Sequence, residues 1–170
     1  MAAPARSGID FRAALQPIDG FGFSTAFQRA DLHANAYVYW TGASLGATRG
    51  LIRLADPGDD YRVFKRCWAP AAFSRFIRPG AVRVPVTNAD PALKITAFRN
   101  ADGSRVIEIL NTATTESSAD FSLRGGHDRH PDGYVTDETR SITPSDIVST
   151  HGTTLTATLA PRALTTIVLD

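Results

Sequence analysis

The part of the chain after residue 80 is a succession of short segments rich in Val, Ile, Thr and Leu. Turn residues separate these segments, and Asp102-Gly103 between two apolar runs is a typical hairpin signal. No helical pattern stands between them, so the pattern predicts an antiparallel β-sandwich. The segments are AVRVPV, ALKITAFR, SRVIEILNT, SSADFSLRG, GYVTDETRS, TTLTATLA and ALTTIVLD.

A helix is predicted just before this region, from about Asp60 to Ile77. Asp60 could cap its first turn, and Pro70 predicts a kink because it removes one backbone hydrogen bond. Pro79-Gly80 would end the helix. The arginines at 75 and 78 would form its solvated side. Its apolar stripe recurs every four residues and consists of Phe64, Trp68, Ala72 and Phe76.

Short strands are predicted in the first part of the chain. The stretch 8–15 alternates apolar and polar residues, and AYVYW (36–40) is a continuous apolar run of the kind buried in parallel sheets. GLIRL (50–54) is a further candidate strand, and TAFQRADLH (25–33) could form two helical turns.

Composition argues against several classes of protein. The net charge is only +1, with 18 basic and 17 acidic residues, whereas nucleic-acid modules usually carry a basic excess. No apolar run approaches the ~20 residues of a membrane-spanning helix. The start lacks the apolar core of a signal peptide, so the compartment stays unknown. The single cysteine, Cys67, permits no intrachain disulfide and is expected to be a buried, inert thiol.

The titratable residues form no recognisable catalytic or metal motif. A zinc site needs three or four convergent ligands, and HDRH (127–130) has only two histidines. This segment is therefore predicted to be a solvated loop. We therefore expect no metal and no cofactor. The chain has three glutamates. Glu108 is expected to point from a strand into water, Glu116 lies in a turn, and Glu138 adjoins Asp137, whose side chain would point to the opposite face.

Three quoted blocks resemble glycoside hydrolase family 30, a family of retaining β-glycosidases. IDGFGFSTAFQRA (18–30) resembles the segment that opens the family's barrel. AYVYWTGASLGATRGLIRL (36–54) and WAPAAFSRFIRPGAVRV (68–84) resemble its eighth strand, its last helix and the return into the side β-domain. Within the family, AFQRA (26–30) and YVYW (37–40) resemble most the members that are endo-β-1,6-galactanase-like.

The resemblance implies a mainly β fold, an antiparallel β-sandwich with a small α/β remnant of a (β/α)₈ barrel. Residues 1–17 would form a strand that pairs with the sandwich, 18–80 the barrel remnant, and 81–170 the C-terminal sandwich. About a dozen residues stand where six barrel strands should be. Both catalytic glutamates of the family would fall in that gap, so no catalytic residue can be assigned.

One position of the family's sugar site is matched, namely Trp40. It could stack on a sugar ring, or it could pack in a core. The first hypothesis is a non-catalytic remnant with weak affinity for a β-linked glycan. The second is that the chain is a fragment of an active galactanase-type hydrolase or the product of a faulty gene model. The third is an interaction module that self-associates, or binds a partner chain, through uncovered barrel faces.

Overall fold

The computed structural model describes residues 5–17, 41–46, 50–55, 60–125 and 131–170. The predicted elements within 18–40, including the strand at 36–40, lie outside this part of the chain. In chain order the described elements are β1 (Ala5–Asp10), β2 (Gln16–Pro17), β3 (Ala43–Leu45), β4 (Ile52–Leu54), β5 (Tyr61–Val63), a 3₁₀ turn (Lys65–Cys67), α1 (Trp68–Phe76), β6 (Val82–Val84), β7 (Val86–Asn88), β8 (Leu93–Arg99), β9 (Arg105–Asn111), β10 (Ser117–Arg124), β11 (Asp132–Thr136), β12 (Thr143–Pro144), β13 (Val148–His151), β14 (Thr154–Leu159) and β15 (Leu164–Leu169).

Two sheets form a sandwich, as the strand pattern predicts. One has the order β13-β14-β10-β1-β7 and the other β12-β11-β15-β9-β8-β6-β2. Inward-facing side chains of both sheets form one buried cluster, because alternate residues of a strand point to the same face. Its larger members are Ile9, Phe11, Phe121, Leu155, Leu159, Leu93, Ile107, Ile109, Ile167 and Leu169. The mainly β fold class is thereby confirmed.

The N-terminal strand lies inside the first sheet. β1 pairs in parallel with β10 and antiparallel with β7, while the other strand pairs of the two sandwich sheets are antiparallel. The sequence predicts this strand at 8–15, and the structure places it at Ala5–Asp10. The strands β12 and β13 are not among the predicted segments.

The chain leaves the sandwich and returns to it at adjacent points. Gln16 and Pro17 pair antiparallel with Arg83 and Val82, and Leu15 N–H donates to the Arg83 carbonyl at 2.9 Å. Strands β2 and β6 therefore form a short paired stem at the edge of the second sheet.

The predicted helix from 60 to 77 is wrong in its first half. Tyr61–Val63 is a strand that pairs with β4, and Phe64 N–H donates to the Leu51 carbonyl at 2.9 Å. Asp60 Oδ1 accepts the Tyr61 N–H at 2.7 Å, at the start of this strand and not of a helix.

The α-helix begins only at Trp68, so Pro70 does not interrupt a helix and the predicted kink has no cause. Pro70 lies in the first turn, where a backbone N–H has no intrahelical acceptor. Ala72 and Phe73 are the buried residues of the helix, so the predicted stripe is buried only at Ala72. Phe73 and Ile77 pack in a second cluster with Phe98, Val106 and Leu164 on the outer face of the seven-stranded sheet.

The junction between α1 and the sandwich is held by one side chain, Asn100. Its Nδ2 donates to the Phe76 carbonyl at 2.9 Å, and its Oδ1 accepts the Arg78 N–H at 3.0 Å. Gly80 follows with φ of 84°, a conformation that glycine adopts readily. The end of the helix is therefore fastened to the β8–β9 hairpin.

None of the described helices is long and apolar enough to cross a membrane.

Candidate functional site

Trp40, the predicted sugar-binding residue, lies outside the described residues. The chain immediately after it enters a separate three-stranded sheet with the order β3-β4-β5. Leu51 N–H donates to the Gly42 carbonyl at 2.9 Å and lies 3.3 Å from the Thr41 carbonyl oxygen. The surface of this small sheet is therefore the described region closest in sequence to the predicted site.

One face of the small sheet is apolar and largely uncovered. Leu45, Leu54 and Tyr61 are direct cross-strand neighbours, and their exposed fractions are 61%, 38% and 66%. Residues two positions away on each strand share this face, and they are Ala43, Ile52 and Val63. Exposed apolar patches of this kind usually mark interaction surfaces. We call Leu45, Leu54 and Tyr61 the apolar row.

The opposite face of the small sheet is basic. Arg53 and Arg62 are direct neighbours, and the Arg62 guanidinium carbon lies 5.6 Å from the centroid of the Phe64 ring. Arg66 contacts the same ring at 5.2 Å. Within the described ranges no carboxylate forms an ion pair with these arginines. The sheet therefore separates an apolar face from a basic one.

The apolar row is not among the residues singled out from the sequence. Tyr61 falls in the predicted helix, which hides its strand partners. The triplets ASL, IRL and YRV each place a polar residue between two apolar residues. That alternation is the signal that could have identified the row.

The prediction for Glu108 is wrong, because its side chain is buried with an exposed fraction of 1%. It lies on β9 opposite Thr96 and Thr166, on the face that also carries Val106 of the helix-packed cluster. Thr166 Oγ1–H donates to Glu108 Oε2 at 2.8 Å, and among the described residues Glu108 Oε1 has no hydrogen-bond partner.

Burial raises the pKa of Glu108 well above its ordinary value, and the Thr166 hydrogen bond only partly opposes this shift. The apolar run VIEIL could have indicated a strand buried on both faces. Sealed from water, this carboxyl cannot reach a glycosidic bond.

The other two glutamates lie on exposed turns. Glu116 precedes β10, and Glu138 follows β11. Beside Glu138, Asp137 Oδ1 accepts the N–H groups of Thr139 and Arg140 at 2.9 and 2.7 Å. Burial acts to raise the pKa of Asp137, but the hydrogen bonds from Arg140 and Thr139 outweigh it and hold that pKa far below its ordinary value. Asp137 therefore fixes a turn.

The remaining candidate ligands do not converge in the described part of the chain, where no group of three His, Cys, Asp or Glu side chains could hold a metal ion. His33, His127 and His130 lie outside that part, and His151 is exposed on β13. Cys67 is half-buried, and desolvation raises the pKa of its thiol.

Comparison with known families decides what kind of sandwich this is. The model of the glycosyl hydrolase family 30 beta sandwich domain matches residues 80–167, just over half of the 170 residues. The chain belongs to this family. The match begins at Gly80, just after α1, and covers β6 to β14 and most of β15, so the family resemblance of the sequence is confirmed.

Relatives in family 30 include a glucuronoxylanase of Bacillus subtilis strain 168. It is 27% identical over 113 residues, which are 66% of this chain and 26% of that protein. This family 30 chain therefore spans about a quarter of the length of the curated relatives it matches.

Solved family 30 structures share the fold. A GH30 endoxylanase from Clostridium papyrosolvens C71 is 30% identical, with a TM-score of 0.67 over 80% of this chain and 33% of that one. The catalytic domain of GH30 xylanase C from Talaromyces cellulolyticus is 26% identical, with a TM-score of 0.72 over 95% and 40%.

Proposed function

We propose that this chain is a non-catalytic member of family 30 that binds a β-linked glycan weakly. The observation that supports this is the location of its three glutamates. Retaining glycosidases need two carboxyl groups about 5–5.5 Å apart on either side of the bond to be cleaved. Here Glu108 is sealed in the sandwich, and Glu116 and Glu138 lie on turns of it.

In this proposal residues 1–17 and 81–170 form the sandwich, and 18–80 is what is left of a barrel. Trp40 supplies the sugar contact, since the apolar face of a sugar ring stacks on an aromatic ring. A single stacking contact predicts weak binding, with a dissociation constant of about 1 mM, or about −4 kcal/mol.

Replacing Trp40 tests the sugar contact. We expect Trp40→Ala to weaken binding of β-1,6-galactan oligosaccharides by about two- to tenfold, because an aromatic contact contributes about 0.5–1.5 kcal/mol. Isothermal titration against the unsubstituted chain measures the change. Unchanged affinity would remove Trp40 from the site, and no binding by a well-folded monomer would contradict the glycan proposal.

The second candidate is that this sequence represents part of an active, retaining endo-β-1,6-galactanase-type hydrolase. The observation favouring it is that the curated relatives extend over about four times the matched length. Sequencing the transcript across codons 29 to 36 would reveal any barrel residues there. Hydrolysis of β-1,6-galactan or aryl glycosides by the 170-residue chain would overturn the non-catalytic proposal.

The third candidate, an interaction module, is favoured by the apolar row. The row carries no charge, and the chain's net charge of +1 gives little repulsion between copies. A two-fold axis at Leu54 would set Leu45 of one copy against Tyr61 of the other, which makes the row self-complementary.

Leu54→Lys tests this self-association. We expect the substitution to raise the dimer dissociation constant at least about tenfold, because it buries a charge in an apolar contact. Sedimentation equilibrium over a range of concentrations measures the change. Leu15→Lys is the matched control, since Leu15 is 50% exposed but lies outside the small sheet. A chain that stays monomeric at all concentrations would contradict this candidate.

A further inference from the structure

The outer face of the five-stranded sheet carries a polar depression of about 360 Å³. It is lined by Arg6 and Ser7 of β1, Asp120 and Ser122 of β10, and Thr154 of β14. Its volume lies at the lower end of the range of about 300–1,000 Å³ that small-molecule sites occupy. It therefore has room for a small ligand.

The depression extends across three neighbouring strands, β14, β10 and β1. Across the three strands the register sets Gly8 beside Ser122, and Ser122 opposite Thr154. A Cβ atom on Gly8 would lie 2.8 Å from Thr87 Oγ1, so a larger residue at position 8 would displace the Thr87 side chain. Alternate residues of a strand point to the same face, so Asp120, Ser122 and Thr154 face a common space.

The charged groups at its edge are adjacent but not paired. Arg6 and Asp120 are direct neighbours across β1 and β10, yet no ion pair joins them in the described structure. Thr156 Oγ1–H donates to Asp120 Oδ1 at 2.7 Å, which orients the carboxylate. Its second oxygen and the guanidinium of exposed Arg6 remain available to a ligand.

We infer that this depression is a second glycan site, which takes one or two sugar residues through their hydroxyl groups. A fixed carboxylate accepts hydrogen bonds from vicinal hydroxyls, and a guanidinium donates to them. Ser122 and Thr154 can do either. Its five described lining residues include no aromatic or large apolar side chain, which favours a polyhydroxylated ligand and keeps its affinity low.

The inference rests on the proposed function, because it gives the glycan-binding role a location on the sandwich. The depression uses different residues from the proposed Trp40 contact. It also uses a different chemistry, since it depends on hydrogen bonds to hydroxyls and not on stacking. The two sites can therefore be separated by substitution.

The test uses the full chain labelled with ¹⁵N and titrated with β-1,6-galactotriose and, separately, β-1,4-xylotriose. We expect amide shifts at Arg6, Ser122 and Thr154, and about tenfold weaker binding in Asp120→Ala, since it removes hydrogen bonds to a charged group. Ser122→Ile, which fills the depression with a residue that suits a strand, should abolish those shifts. Thr158→Ala is the matched control, because Thr158 is exposed on the same face outside the depression.

Each outcome separates the two proposals. Loss of the shifts in Asp120→Ala and Ser122→Ile but not in Thr158→Ala or Trp40→Ala supports the second site. If Trp40→Ala alone abolishes binding, the second site is overturned and the proposed function stands. If neither sugar shifts any amide of the folded chain, both are overturned.

Discussion

Asn111→Ala is expected to lower the free energy of unfolding by about 3 kcal/mol. Asn111 has an exposed fraction of 1%, and its Nδ2 lies 3.0 Å from the Thr115 carbonyl oxygen and 3.1 Å from those of Leu159 and Ala160. Its Oδ1 accepts the Ala113 N–H at 2.9 Å. Alanine removes all four hydrogen bonds and leaves the buried Leu159 carbonyl and the part-buried groups without this partner, and an unsatisfied buried group costs about 1–3 kcal/mol.

Asn88→Ala is the matched control for this change. Asn88 makes side-chain hydrogen bonds to Ser7, Asp90 and Leu93, but it is exposed. Water can replace its bonds, so we expect a loss of about 1 kcal/mol or less. Urea denaturation followed by circular dichroism measures both variants. Equal losses of unfolding free energy at positions 111 and 88 would show that the hydrogen bonds of buried Asn111 stabilise the fold no more than those of exposed Asn88.

Glu108→Gln is expected to change how stability depends on pH. The pKa of Glu108 is raised in the folded chain, so the folded state holds a proton that the unfolded state has released. Stability is then full below the unfolded value of about 4.3, and it falls by about 1.4 kcal/mol per pH unit until the folded pKa is passed. Glutamine resembles the protonated acid, so the variant should not show this fall.

The difference in unfolding free energy between the two proteins, measured from pH 5 to pH 9, isolates this effect. Asp137 acts in the opposite direction, because its lowered pKa gives stability that is lost only as the pH falls below that window. Glu116→Gln, the same substitution on the surface, is the control. A parallel pH profile for Glu108→Gln and the unsubstituted protein would show that Glu108 is not a buried acid.

Strand order in the sandwich could be only partly predicted from the sequence. Local alternation and turn residues located β8 and β9, because Asp102-Gly103 joins them in a hairpin. They could not show that β1 lies between β10 and β7, since such pairing joins residues more than 70 positions apart. The helix was predicted too long because Tyr61–Val63 gains its hydrogen bonds from β4, a tertiary partner that no local pattern contains.

The candidate sites depend on the same long-range pairing. Asp120, Ser122 and Thr154 resemble ordinary strand residues in the sequence, and only the pairing of β10 with β14 and β1 places them around one depression. Alternation along β9 predicts a solvent-facing Glu108. Its burial comes from β8 and β15 along the two edges of β9 and from the two hydrophobic clusters that cover its two faces.

The β2–β6 stem has a consequence for how this sandwich tolerates changes in length. Because the chain leaves and returns side by side, any polypeptide between positions 17 and 82 is a closed loop whose ends the sandwich already holds together. The entropy of closing a flexible loop grows only with the logarithm of its length, by about 0.6 kcal/mol per doubling. A fourfold longer insertion would thus cost the sandwich only about 1.2 kcal/mol. The stem therefore makes the stability of the sandwich nearly independent of the length of the segment between β2 and β6.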